Sequence, residues 1–423
     1  MDTQIVTIPL FDVNMAVQSY LFRYRQGNDL FSTTQATNVF DGASHSVALE
    51  TLNLVGLDAF TLGKPLFVPI TAIHLLGDLA NHCSAPPENV IFRLDDENPK
   101  WEEPFISKVA ELRAKGFRLA ANNLKDPAKH SAFLNQCSYC FLSQEPVHES
   151  ESERIRSELR KSFPHLELVA THLDTPEKLA RMKRCGYTLF ESRFYSIPVS
   201  EGEHKVSPLK ANSIRLLNAV QDENFDFDEV SKIVQGDPAL TISLMRIVNA
   251  PTARGVRRDK IKTIQHAVAM LGQQEVRKWV TTAVAQLLGD DKPNELSKIS
   301  LVRAKFAENL APLFEQSQMS QGLFLMGLFS VIDVILEVPM EEAFKVVLLS
   351  DVIRSALVEH SGIYYPVLQL LISYEHADWA AVSRLMIVHD IAEDDLSNAY
   401  IEALVWYRNL IVLDEETEML ESQ

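Results

Sequence analysis

Gly116-Phe-Arg-Leu-Ala-Ala-Asn-Asn-Leu124 is the stretch on which the fold turns. Lys115-Gly116 closes a helical pattern, a short apolar run follows, and two amides, Asn122 and Asn123, stand where the run ends. A brief apolar run bounded by a turn residue is the pattern of a buried strand in a parallel sheet. In an α/β barrel the strand ends face the active site, so acids that hold divalent cations and activate water belong there. Asn122 and Asn123 can lend an oxygen to a metal, but they bring no charge and no general base.

Outward from this stretch, β-rich runs alternate with amphipathic helical ones from Ile5 to about Pro198. The runs are Gln4–Phe11, Gln18–Arg25, Leu66–Ile70, Val90–Leu94, Phe117–Ala121, Tyr139–Leu142, Leu166–Ala170 and Leu189–Phe194. Helical patterns cover Ile73–Cys83, Glu103–Lys115, Ala128–Leu134, Ser150–Ser162 and Pro176–Cys185. Such alternation predicts a parallel sheet with crossovers, and about eight strands predicts a barrel. Only Asp12–Val17 separates the first two runs, too little chain for a helical crossover. Those two strands are expected to pair antiparallel, which makes the barrel irregular.

Val199–Val206 is polar and reads as a linker, and beyond it the pattern is helical throughout. Ser207-Pro208 and Asp237-Pro238 each place a cap before proline at a first helical position. Ala239–Asn249 follows the second cap. Thr263–Leu271 is expected to stop at Gly272 before Gln273–Leu288, and Pro312 to end or kink Leu296–Glu315. Helices then continue to Leu410. The expected division is 1–200 for the barrel, 201–412 for the helical domain and 413–423 for an acidic tail.

The formal net charge of -17 argues against nucleic acid as a main partner, because a phosphate backbone asks for a basic surface. The N-terminus lacks the pattern of a signal peptide, and Gly322–Leu336, broken by Asp333, is too short to span a bilayer. Four scattered cysteines, Cys83, Cys137, Cys140 and Cys185, fit a reducing cytoplasm.

The strand alternation, Phe22-Arg23-Tyr24-Arg25, Gly116–Leu124 and Leu189–Pro198 together resemble an EAL domain, the cyclic-di-GMP phosphodiesterase fold. By that resemblance the signature Glu falls at Leu21, a strand-end Asn at Pro69, a further Glu at Arg93, and the Asp-Asp pair at Asn122 and Asn123. The Lys falls at Phe141 and the Asp two residues on at Ser143. The later Glu positions fall at Thr171 and Asp174, and the final Gln-Gly at Glu191 and Ser192. Asp174 alone keeps the acidic character of its position. The resemblance thus implies the fold, while the residues imply a degenerate barrel with no catalytic site and no metal cofactor. Ser207–Leu410 resembles the HDOD domain, with Asp237–Asn249, Thr263–Gly272 and Gly327–Asp333 its most specific parts. There Ser330 and Val331 take the place of a His-Asp dyad, and serine with valine cannot build a binuclear site.

The expected architecture is α/β plus all-α: a degenerate EAL-type barrel followed by an all-helical HDOD domain. The expected function is a non-catalytic, cytoplasmic signalling scaffold whose partners are signalling proteins. One alternative is a sensor that binds cyclic di-GMP without cleaving it, with Arg23 as a phosphate contact. Another is an active phosphodiesterase that uses Asp174 and Glu191. His389-Asp390 reads as a polar helix end, His74 and His266 as core histidines, and Cys137-Ser-Tyr-Cys140 as a strand segment rather than a zinc knuckle. The basic run Ala253–Lys262 reads as a solvated loop.

Overall fold

The computed structural model describes residues 3–26, 47–95, 104–145, 149–173, 175–192, 208–221, 224–235, 240, 244, 264–288, 294–336, 338–346 and 349–421. Asp174, the Val199–Val206 linker, Ser207, most of Asp237–Asn249 and the Ala253–Lys262 cluster lie outside the described residues.

Eight strands close into a barrel in sequence order. They are β1 (Thr3–Phe11), β2 (Val17–Gln26), β3 (Leu66–Ile70), β4 (Val90–Leu94), β5 (Arg118–Asn122), β6 (Tyr139–Ser143), β7 (Glu167–Leu173) and β8 (Leu189–Ser192). β1 runs antiparallel to both of its neighbours, as the short Asp12–Val17 connection requires, and β2 to β8 are parallel. Gly116 and Gly186 take φ of 93° and 82° where a helix ends before the next strand, a conformation that costs glycine little. The helix read as Ile73–Cys83 is two short pieces, Ala72–Leu76 and Leu79–His82, because Gly77 and Asp78 leave helical geometry between them. Two helices before β3, Val47–Val55 and Leu57–Thr61, have no counterpart in the sequence reading.

Side chains of alternate strand residues fill the barrel. Ile8, Leu10, Leu21, Phe67, Ile91, Ala120, Tyr139, Phe141, Val169 and Leu189 form one buried cluster. Phe67 meets Tyr139 and Phe141 edge-to-face at 5.1 and 5.0 Å, a favourable aromatic geometry.

The chain divides into two compact units: Met1–Phe194 with Ile372–Arg408, and Tyr195–Leu371 with Asn409–Gln423. Ile372–Arg408, placed by the sequence reading in the helical domain, belongs with the barrel. The physical reason is the fully buried Tyr374, whose hydroxyl accepts a hydrogen bond from the Ile5 amide at 3.2 Å, and whose ring packs on Trp379 and Tyr400. The backbone from Glu393 to Glu421 is one helix, so most of the acidic ending read as a tail is helical.

The helical unit contains Pro208–Ala219, Phe227–Gln235, Ile264–Leu288, Asn294–Leu310, Ser320–Phe329, Ile332–Leu336, Met340–Val346 and Asp351–Leu357. Gly272, at φ 77° and ψ 165°, breaks Ile264–Leu288 where the sequence placed a stop. Asn294–Leu310 passes into a short 3-10 turn at Ala311–Phe314, which holds Pro312. Asn294–Leu310 and Ser320–Phe329 cross at Gly327: a Cβ there would stand 2.4 Å from the Arg303 carbonyl oxygen.

Candidate functional site

Two residues beyond each inward side chain of the buried cluster lies a residue of the same parity, one step nearer the strand ends. From Phe67, Ile91, Ala120, Phe141, Val169 and Leu189 this step reaches Pro69, Arg93, Asn122, Ser143, Thr171 and Glu191. From Leu21 on β2 it reaches Arg23, which pairs across the ribbon with Val6. The positions singled out in the sequence thus converge on one mouth, with Leu21 and Phe141 as its apolar floor. Asn123 has the opposite parity, and Asp174 lies outside the described residues.

Two arginines organise the polar contacts of this mouth. Arg93 is nearly buried and donates to both carboxylate oxygens of Asp95, through Nε at 2.7 Å and Nη2 at 2.6 Å. Its guanidinium also lies over the Phe141 ring, 5.1 Å from the centroid. Asn122 Nδ2 donates to Asp95 Oδ1 at 3.1 Å, so the amide serves the carboxylate that Arg93 holds. Burial, and then the Asp95 carboxylate, push the Tyr24 phenol above its ordinary range, with Arg93 opposing. Arg23, read as a phosphate contact, donates to Glu191 Oε1 at 2.6 Å, and Glu191 is 3% exposed.

A second group of contacts escaped the sequence reading. Asn123 takes φ of 47° and its Oδ1 accepts from the Ser143 amide at 2.8 Å. His172 takes φ of 61°, where the β7–β8 register shifts between Ala170 and Leu173. Its Nδ1 lies 3.3 Å from Ser143 Oγ and 3.0 Å from Thr171 Oγ1, and its Nε2 lies 3.3 Å from Glu145 Oε1. No sequence signal marks a bulge at His172, because the bulge arises from the pairing of β7 with β8.

A pair of divalent cations asks for several oxygen anions at one point. Among the described residues, no three of His, Cys, Asp and Glu gather closely enough to hold a metal ion. Leu21 and Phe141 are wholly buried in the apolar cluster, and Arg93 sets a fixed positive charge at a strand end. Among the described residues of the mouth, the donor set does not fit such a cation pair.

In the helical unit, Ser330 Oγ donates to the Gly327 carbonyl at 2.7 Å and accepts from Arg303 Nη1 at 3.0 Å. Val331 is buried. Burial raises the Asp333 carboxyl above the usual range, against the lowering pull of its backbone contacts and of Arg303. His74 is half-buried and caps the N-terminus of Ala72–Leu76, accepting from the Thr71 amide at 3.1 Å. His389 ends the helix Trp379–Val388, and Asp390 follows at φ 52°. Cys137 and Cys140 are buried, and burial pushes the Cys140 thiol up to about 12. The side chain of His266 lies outside the described residues. Among the described residues no helix is long and apolar enough to cross a membrane.

Residues 207–359 match the HDOD domain family. The uncharacterized protein YuxH of Bacillus subtilis (strain 168) is 26% identical over 410 residues, 95% of this chain and 97% of its own length. A Vibrio cholerae protein named cyclic di-GMP phosphodiesterase CdgJ is 26% identical over 399 residues, 92% of this chain and 90% of its own. Among solved structures, the Bacillus subtilis YkuI protein with an EAL domain, in complex with cyclic di-GMP and calcium, is 12% identical. Its TM-score is 0.35, over 55% of this chain and 71% of that one, too slight a likeness to carry an argument. The chain thus carries a closed eight-stranded barrel followed by a stretch that matches the HDOD domain family, and relatives align with it along nearly the whole length.

Proposed function

We propose that the chain is a non-catalytic, cytoplasmic protein of cyclic-di-GMP signalling, in which the barrel regulates or docks and the HDOD domain engages signalling proteins. The observation that carries this reading is the arginine at two strand ends: Arg93 clamps Asp95, and Arg23 pairs with Glu191. Each guanidinium engages a carboxylate at the mouth and so competes with any metal ion for its oxygens. Alignment along most of its length with a relative named for cyclic di-GMP supports the signalling context. The test is purified full-length chain incubated with cyclic di-GMP and Mg²⁺ or Mn²⁺. The expected result is no linear dinucleotide above a buffer control, and turnover proportional to the protein concentration would overturn the reading.

A second reading, binding without hydrolysis, is favoured by the inward parity of Arg23 and Arg93, whose guanidinium groups suit phosphate. It is disfavoured by the carboxylates that already occupy both. Calorimetric titration with cyclic di-GMP decides between them, since saturable heat without product supports a sensor.

A further inference from the structure

The inward face of the β1–β2 ribbon can be followed rung by rung. Ile8 pairs with Leu21 inside the barrel, Val6 with Arg23 at the mouth, and Gln4 with Arg25 one rung higher. The ribbon outruns the barrel wall, because β2 pairs with β3 only at Tyr20 and Leu21, and β1 with β8 only at Leu10 and Phe11. Arg25 stands four residues past Leu21, beyond the level of the β3 terminus, and keeps the inward parity.

Both side chains of that top rung meet the helix Trp379–Val388. Gln4 Nε2 donates to Met386 Sδ at 3.1 Å. Arg25 Nη1 donates to the Trp379 carbonyl at 3.1 Å and to Ser383 Oγ. Ser383 Oγ in turn donates to the Trp379 carbonyl at 2.8 Å. Tyr374 anchors the same segment to the ribbon edge through the Ile5 amide. All of these residues belong to one compact unit. The helix therefore lies on the side of the ribbon that, two rungs lower, lines the barrel interior.

We propose that Ile372–Arg408 is a strap across the barrel mouth, held shut by Arg25, and that any ligand of the mouth enters only when the strap lifts. The proposal is independent of whether the barrel hydrolyses anything. It assigns Arg25 a latching role and makes the C-terminal helices a gate. Gln4, Arg25 and Ser383 then belong to the gate and not to a ligand site. Only Arg25 among them carries charge, so the latch is a set of charge-assisted hydrogen bonds.

The test is thiol accessibility at the mouth of the full-length chain. Asn122→Cys supplies the reporter, Cys83→Ala and Cys185→Ala remove the half-exposed native thiols, and buried Cys137 and Cys140 stay in place. An aromatic disulfide reagent is followed by its released thiolate. The proposal expects slow labelling in this parent and, with Arg25→Ala added, labelling about tenfold faster, as loss of charge-assisted bonds implies. Ser383→Ala, which removes one acceptor and no buried packing, is the second variant and decides the matter should Arg25→Ala not fold. Circular dichroism and melting of each variant establish that it is folded. Labelling of the parent at the rate of a free thiol, or equal rates in parent and folded latch variants, overturns the proposal.

Discussion

At the residue scale, Arg93 sets a cation at the end of β4 and engages both carboxylate oxygens of Asp95. Adding acids nearby does not undo this. Asn122→Asp would set a second carboxylate against Asp95, at a spacing where like charges favour protonation of one of them. Leu21 and Phe141 remain as an apolar floor. The double variant Asn122→Asp, Asn123→Asp is therefore expected to show no hydrolysis of cyclic di-GMP in Mn²⁺, and measured turnover would refute this. Asp333 offers a pH-dependent case. Its carboxyl is raised in the folded chain, chiefly by burial, so the fold holds its proton more tightly than the unfolded state does. The resulting penalty is absent below the ordinary carboxylate range and grows as pH rises through the raised value. Asp333→Asn should gain stability over the parent as pH goes from 4 to 7.5. Urea midpoints that keep a constant difference across that range would defeat the prediction.

At the scale of elements, the crossing of Asn294–Leu310 with Ser320–Phe329 depends on the missing side chain of Gly327. The atoms a Cβ would meet are backbone, the Arg303 carbonyl and Ala304 Cα, and cannot swing aside. Gly327→Ala should cost about 1–3 kcal/mol through overpacking, read as a lower denaturation midpoint. An unchanged midpoint would show that the helices can part without loss. These elements also show what the sequence makes legible. Strands such as Leu66–Ile70 announce themselves because burial on both faces demands an unbroken apolar run. Gly116, Gly186 and Gly272 announce helix ends because the backbone conformation there suits glycine. The convergence of the strand-end residues was legible too, since a two-residue period and a barrel suffice to place them. The contacts of Arg23 with Glu191 and of His172 with Glu145 were not. They join residues on different elements, and no local pattern records which charged groups the closure of a barrel will bring together.

At the scale of the whole molecule, the barrel's compact unit is completed by residues far along the chain. The amphipathic pattern of Trp379–Val388 says that one face is buried but not against what, and so the sequence assigned it to its neighbours in order. Tyr374, with its hydroxyl on Ile5 and its ring against Trp379 and Tyr400, is a main tie. Tyr374→Ala should cost about 3–5 kcal/mol, by analogy with other large aromatic truncations. A chain ending at Leu371 should lose protection of the β1 and β2 amides in hydrogen exchange, and retained protection at Ile5 would contradict this. The two-residue seam between β1 and β8 has a further consequence, which concerns the order of events during synthesis. Leu10 must meet Glu191, and Gln4 must meet Met386, so β1, which pairs locally with β2, gains these other contacts only after much later stretches of chain have been made. Contacts at such sequence separation are slow to form. Until Leu189–Ser192 is made, the β1 edge of the ribbon lacks its β8 partner, and an unpaired strand edge is a site where misassembly starts.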